Sequence, residues 1–152
     1  MYTVVLAIHN IFRWIVAVLA ILAVVRAYLG WLGRRDWTAR DRQINSFFGM
    51  SLDIQFLLGL ILYIFLSPIT RSAFANLGAA MSDPTARFFT LEHILYMVVA
   101  VALVHIGTVL ARRADDPIVK HRQAAIFFTL AVLAIILGMP WFRPLFPGLG
   151  GI

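Results

Sequence analysis

The sequence predicts an all-α integral membrane protein: a four-helix bundle of up-down-up-down topology with both termini on the outer side. The first observation is composition, since 62% of the 152 residues are hydrophobic and only 13% are charged, against about 45–50% and about 25% in soluble domains. The second is the presence of four apolar stretches close to the roughly 20 residues that cross a bilayer core. The third is an uneven distribution of arginine and lysine between the connections.

The predicted spans cover residues 3–27, 46–66, 88–111 and 124–140. Together they form a single transmembrane domain over residues 1–152, with no room for a separate soluble module. The first stretch begins "MYTVVLAIHN", which lacks the basic start of a signal peptide, so we interpret it as a retained helix. Residues 67–87 are rich in small and turn-forming residues and are predicted to form an outer loop. Residues 141–152 contain too much proline and glycine for a helix and are predicted to form an outer tail.

Basic residues predict the orientation of the bundle. Eight of them lie in the first and third connections, and three lie on the opposite side. Because cytoplasmic connections carry the excess of lysine and arginine, this bias places the first and third connections in the cytoplasm. The eight are Arg34, Arg35, Arg40, Arg42, Arg112, Arg113, Lys120 and Arg122, and the three are Arg71, Arg87 and Arg143.

Several kinds of chemistry are excluded by the inventory of residues. The chain has no cysteine, which rules out disulfides, thiolate metal sites, iron–sulfur clusters and covalent c-type haem. No glycine-rich phosphate loop or HExxH motif is present. The net charge of +6 comes from arginines beside apolar stretches instead of a basic face, so we expect no nucleic-acid partner.

An outer layer of ionisable residues is predicted within the membrane. His9 lies about six residues into the first span and His93 about five into the third, so both should lie roughly 8–9 Å below the outer boundary. Arg13 follows His9 by one turn on the same face, and Glu92 adjoins His93. The face of His9 continues through residues small enough for a helix or a flat cofactor to approach closely, namely Val16, Ala20, Ala23 and Ala27.

Two facing imidazoles in a bundle are the ligand set of a six-coordinate b-type haem. His9 and His93 are therefore the candidate metal ligands, and Arg13 would balance the propionates. Glu92 would accept the spare N–H of His93 and fix its tautomer, or else pair with Arg13. A network of Arg13, Glu92 and His93 without haem, or a solvated His9 near the interface, is the alternative.

A second polar layer is predicted on the cytoplasmic side, where Asp53 and His105 share a depth. Arg26 lies nearby in depth and either joins this layer or extends its long side chain to the headgroups. These residues form either a satisfied contact between helices or a proton or quinone site. His93 and His105 are twelve positions apart, about 18 Å along a helix, so they cannot ligate one metal. The inner layer has no second histidine within the membrane, so one haem is the maximum. His121, in the basic third connection, is predicted to be solvated.

Four stretches are distinctive: "IHNIFRW" (8–14), "DIQFLLGLILY" (53–63), "RFFTLEHILYMVVAVALVHIG" (87–107) and "KHRQAAIFF" (120–128) followed by "PW" (140–141). They are spread over nearly the whole chain. Together they resemble a family of small four-helix bacterial membrane proteins catalogued as uncharacterised or "cytochrome b"-like. The matching positions include His9, Arg13 and His93. Relatives often have a histidine where this chain has Asp53, so the resemblance implies one haem here. It also implies a multi-pass protein of the bacterial cytoplasmic membrane.

The leading hypothesis is a single-haem b-type cytochrome or cytochrome-like subunit. It would relay electrons between quinol and an outer-face acceptor within a larger respiratory or photosynthetic complex. Its partners would be the lipid bilayer and other membrane subunits, and it would be at most an electron-transfer subunit instead of a complete enzyme. The alternative is a cofactor-free accessory subunit of a membrane complex. A small transporter using Arg13, Glu92 and Asp53 is the third hypothesis, weakened because four short helices enclose little lumen.

Overall fold

Four helices long and apolar enough to cross a membrane make up most of the computed structural model, which describes residues 1–143. Those residues contain helices and connections and no strand, so the all-α prediction is confirmed, and the four apolar helices indicate a multi-pass membrane protein. The alternating topology and the outward termini stay predictions. The long helices are α1 (Tyr2–Leu32), α2 (Ala39–Ile61), α6 (His93–Arg113) and α7 (Pro117–Gly138).

Two of these helices are extended by a π-helical turn at the same end of the bundle. Leu62–Leu66, called π1, continues α2, and Phe88–Glu92, called π2, leads into α6. The predicted outer loop holds three short helices: α3 (Pro68–Ala75), α4 (Leu77–Ser82) and α5 (Pro84–Arg87). Each begins at a side chain that accepts a hydrogen bond from the first turn, respectively Ser67, Asn76 and Asp83. Of the predicted tail 141–152, the residues after Arg143 lie outside the described part of the chain.

The packing of the long helices places α1 and α6 diagonally across the bundle. Helix α1 packs against α2 and α7, whereas α6 packs extensively against α7 and much less closely against α2. A side chain pointing inward from α1 therefore faces α6 across the centre. Because His9 belongs to α1 and His93 begins α6, this arrangement decides the geometry of the candidate site.

The small-residue face predicted on α1 is confirmed. Val16, Ala20, Ala23 and Ala27 are all buried, and alanines of α7, such as Ala124 and Ala131, lie in the same core. Small side chains let helix backbones approach closely, which is the usual source of packing energy between membrane helices. Phe48 and Phe128 fill the centre edge to face.

Arg26 is not part of the inner polar layer, contrary to prediction. Its Nε and Nη2 donate to Oδ1 of Asp41, at 2.9 and 2.7 Å. The other oxygen of Asp41 accepts from the backbone of Thr38 at 2.9 Å, as part of the capping box that begins α2. The arginine therefore joins α1 to the start of α2, because its long side chain reaches toward the end of the bundle.

The prediction that His121 is solvated is wrong, since the residue is only 2% exposed. Helix α7 begins at Pro117, so His121 lies one turn inside a helix and not in a loop. Its ring packs edge-on against Trp37, with 4.7 Å between ring centroids, and its Nε2 lies 3.3 Å from the Asp36 carbonyl. The His121 ring also packs directly against Gly30 of α1, and a Cβ at that position would collide with the ring.

Candidate functional site

A cavity of about 700 Å³ lies between the long helices at the end of the bundle that carries α3. His9 and Arg13 reach it from α1, and His93 reaches it from α6. Three of the four residues predicted for the outer layer thus line one space. The wall is mainly apolar, and its polar part is completed by Tyr2, Asn10, Gln55, Tyr63, Ser67, Thr70 and Arg143.

The His9 ring packs closely against α2 because Gly59 has no side chain. A Cβ at that position would lie 3.2 Å from Cε1 of the imidazole, so even alanine would press on the ring. The Gln55 amide donates to the His9 carbonyl at 3.0 Å and ties the two helices together at this level. The Nδ1 of His9 is buried and has no hydrogen-bond partner within residues 1–143.

His93 is oriented by a backbone carbonyl. Its Nδ1 lies 2.6 Å from the Gly138 oxygen, and because a carbonyl can only accept, Nδ1 carries the proton and Nε2 keeps its lone pair. Gly138 ends α7, so its carbonyl has no partner within the helix and is available to the histidine. A Cβ on Gly138 would lie 2.6 Å from Cε of Met97 and 2.7 Å from Cβ of Tyr96, and only glycine permits this close approach of α7 to α6.

Glu92 does not orient His93, nor does it pair with Arg13, and both expectations are corrected by the structure. Its Oε1 accepts from Nε of Arg87 at 2.9 Å, and both side chains are more than a third exposed. Glu92 ends π2, and the wider π turn changes the direction of its side chain relative to the α-helical phase assumed from the sequence. The role of hydrogen-bond acceptor for His93 belongs to the Gly138 carbonyl instead.

The two π turns support each other beside the cavity. A π turn interrupts the regular α-helical hydrogen bonding and is common at functional sites. The hydroxyl of Tyr63 in π1 donates to the Thr90 carbonyl in π2 at 2.7 Å, and Thr70 in α3 donates to the Tyr63 carbonyl at 2.8 Å. These bonds satisfy backbone groups that lipid could not, and they connect the second span, α3 and the turn preceding His93.

Two guanidinium groups line the cavity. Arg13 lies on α1 with its Cζ 5.7 Å from the Trp14 ring centroid. Arg143, which the sequence assigned only to the topology count, lies 4.4 Å from the centre of the Phe89 ring. This cation–π contact brings the start of the tail back to π2. The cavity therefore has two basic groups in a mainly apolar wall.

The predicted inner pair is formed, and it lies away from the cavity. Nε2 of His105 and Oδ1 of Asp53 are 2.8 Å apart, joining α6 to α2. Their side chains are 53% and 40% exposed, so the pair is on the flank of the bundle and not in its interior. Arg26 takes no part in it, as its partner is Asp41.

Sequence reasoning missed Gly138, Gln55 and Arg143 as residues of this site. Gln55 had a detectable signal, because an uncharged polar residue within an apolar span usually serves an interhelical hydrogen bond. Gly138 contributes through its backbone carbonyl, and no residue pattern predicts which histidine will hydrogen-bond to that carbonyl.

The donor set fits a group that brings most of its own ligands. Within residues 1–143 there is no cluster of three or more histidine, cysteine or carboxylate side chains able to hold a bare metal ion. Two histidines from opposite helices match a metal that is already held in a plane by another molecule. Comparison of the chain with protein families, characterised proteins and solved structures found no match.

Proposed function

We propose that this chain is a b-type cytochrome or cytochrome-like membrane subunit with one haem held between His9 and His93. It would relay electrons between quinol and an outer-face acceptor, within a larger respiratory or photosynthetic complex of the bacterial cytoplasmic membrane. The observation that carries the proposal is a cavity of about 700 Å³ lined by two histidines from helices on opposite sides of the bundle. That volume falls within the roughly 300–1,000 Å³ typical of cofactor sites.

The hydrogen bond that fixes the tautomer of His93 supports the proposal. Metal-binding histidines usually donate the other ring N–H to a carbonyl or carboxylate, which fixes the tautomer and raises the basicity of the ligand nitrogen. The Gly138 carbonyl provides this contact at 2.6 Å, which supports Nε2 as the nitrogen that would bind the metal. His9 is packed against Gly59, where the helix backbone carries no side chain, so the position of the imidazole is fixed by this contact.

The charges on the cavity wall suit an amphipathic cofactor. Haem supplies a one-electron redox centre when bound, and it carries two propionates whose charge must be balanced. Arg13 and Arg143 line the cavity and would hold those groups, because arginine pairs with carboxylates in two-pronged geometry. Most of the remaining wall is apolar and would exclude water from the ring, which is one of the means by which a protein sets a haem potential.

A reduced-minus-oxidised absorbance spectrum of the detergent-purified protein tests the proposal. We expect a sharp α band of the b type after dithionite reduction. His9→Ala and His93→Ala should each remove the six-coordinate band, because either change deletes one axial ligand. His105→Ala is the matched control, since it also removes a histidine from a long helix but lies outside the cavity.

A flat spectrum after expression with haem supply would refute the proposal. It would favour the cofactor-free accessory subunit, which a stable complex with other membrane proteins in mild detergent would then identify. A band that survives in both His9→Ala and His93→Ala would show that the haem is bound elsewhere.

A further inference from the structure

The Asp53–His105 pair lies on the outer surface of the bundle. The two helices that carry it, α2 and α6, are in the least extensive contact of the neighbouring long helices. Large apolar side chains surround the pair on both helices and are themselves exposed, as for Ile54, Ile106 and Val109. Asp53 is about seven residues inside the predicted second span, so the pair lies about 10 Å below the membrane boundary.

An ionisable pair in contact with lipid costs free energy unless a polar group covers it. Ionisable residues in spans almost always face the bundle interior or a water-filled cavity, and these two are 40% and 53% exposed. The hydrogen bond between them uses one nitrogen of His105 and one oxygen of Asp53. No other residue of the described chain hydrogen-bonds to the second nitrogen, Nδ1. This nitrogen is therefore available to a molecule in the bilayer.

We infer that the Asp53–His105 pair binds the headgroup of a membrane quinol or quinone. A headgroup oxygen would exchange a hydrogen bond with Nδ1 of His105, and the exposed apolar residues beside the pair would carry the lipid-soluble tail. The choice of this class among lipid-borne hydroxyl compounds rests on the function proposed above. The contact is a hydrogen bond, and it requires no electron transfer at the pair.

One proton makes the pair complementary to both forms of this ligand. When Asp53 is a carboxylate and His105 is neutral, Nε2–H donates to the carboxylate and Nδ1 is an acceptor, which suits a quinol hydroxyl. When the pair holds one more proton, Nδ1–H is a donor, which suits a quinone carbonyl. Asp53 thereby sets the orientation of His105.

A second copy of the chain is a poorer occupant of this surface. In a two-fold contact the same patch meets itself, so each Nδ1 acceptor would face another acceptor and each negative pair another negative pair. Like charges in contact disfavour an interface. Self-association through the pair is therefore an outcome that the experiment must distinguish, not the expected one.

Photolabelling with an azidoquinone tests the inference without relying on haem. The full chain is reconstituted into phosphatidylcholine nanodiscs, illuminated with the probe, and mapped by peptide mass spectrometry. We expect the label on residues of α2 and α6 that flank the pair. His105→Ala should reduce labelling about tenfold, as the loss of one hydrogen bond to a charged or strongly polar group predicts, and Asp53→Asn should reduce it in the same direction. Val98→Ala, on the exposed surface of α6 two turns away, is the matched control.

The result separates this inference from the proposed function. Labelling at the pair in a protein with no haem band would support the site and refute the cytochrome. A haem band accompanied by labelling elsewhere, or by labelling unchanged in His105→Ala, would overturn the site and leave the cytochrome intact. A dimer that depends on His105, with labelling unaffected, would overturn the site in favour of self-association.

Discussion

Replacing Gly30 with alanine is predicted to destabilise the bundle by forcing α1 away from His121. A Cβ at position 30 would lie inside 3.0 Å of three atoms of the imidazole, whereas ordinary contacts begin at 3.4 Å. The ring cannot easily move away, because it is 2% exposed and is confined by Trp37 on one side and the Asp36 carbonyl on another.

The expected magnitude follows from two opposing effects. Overpacking of a filled interior costs about 1–3 kcal/mol, and the rigid surroundings of His121 favour the upper half of that range. Alanine recovers about 1 kcal/mol relative to glycine in a helix. The free energy of unfolding should therefore fall by about 1–2 kcal/mol.

Reversible unfolding in mixed detergent micelles, followed by circular dichroism, measures this change. Gly49→Ala is the matched control, because the nearest atom to its new methyl group would be Cγ1 of Val104 at an ordinary 3.8 Å. That variant should be neutral or slightly stabilised. Combining Gly30→Ala with His121→Ala should remove most of the cost of the first change, as expected for residues in direct contact. If Gly30→Ala costs the same with and without His121, or costs nothing, the reasoning is wrong.

Three further changes test other contacts. Gly59→Ala should shift or weaken the haem band, because the new methyl group presses on Cε1 of His9 at 3.2 Å; an unchanged spectrum would contradict the assigned position of the ring. Asp41→Asn should lower the free energy of unfolding by about 1–2 kcal/mol through the weakened cap and the lost Arg26 ion pair, and chemical denaturation that shows no change would count against this contact. Glu92→Gln should change stability by less than about 1 kcal/mol, as for other exposed ion pairs, and should leave the haem band intact; loss of the band would restore the role first predicted for Glu92.

The sequence determined the class of protein and the level along the helices at which some polar residues meet. Composition and the length of apolar stretches are sums over local residues, so they predict four helices without knowledge of their contacts. The helical repeat predicted the small face from Val16 to Ala27, which is buried. Counting residues along spans also placed Asp53 level with His105, and the two side chains are hydrogen-bonded.

Only the tertiary structure decided how each helix is rotated about its axis and which partner each polar group contacts. The π turn before His93 changes the helical phase, so Glu92 pairs with Arg87 and a carbonyl from α7 orients the imidazole. His121 is buried because Gly30 of a distant helix leaves room for it. Helix rotation is set by lateral packing between segments far apart in the chain, and that information is absent from the periodicity of any single segment.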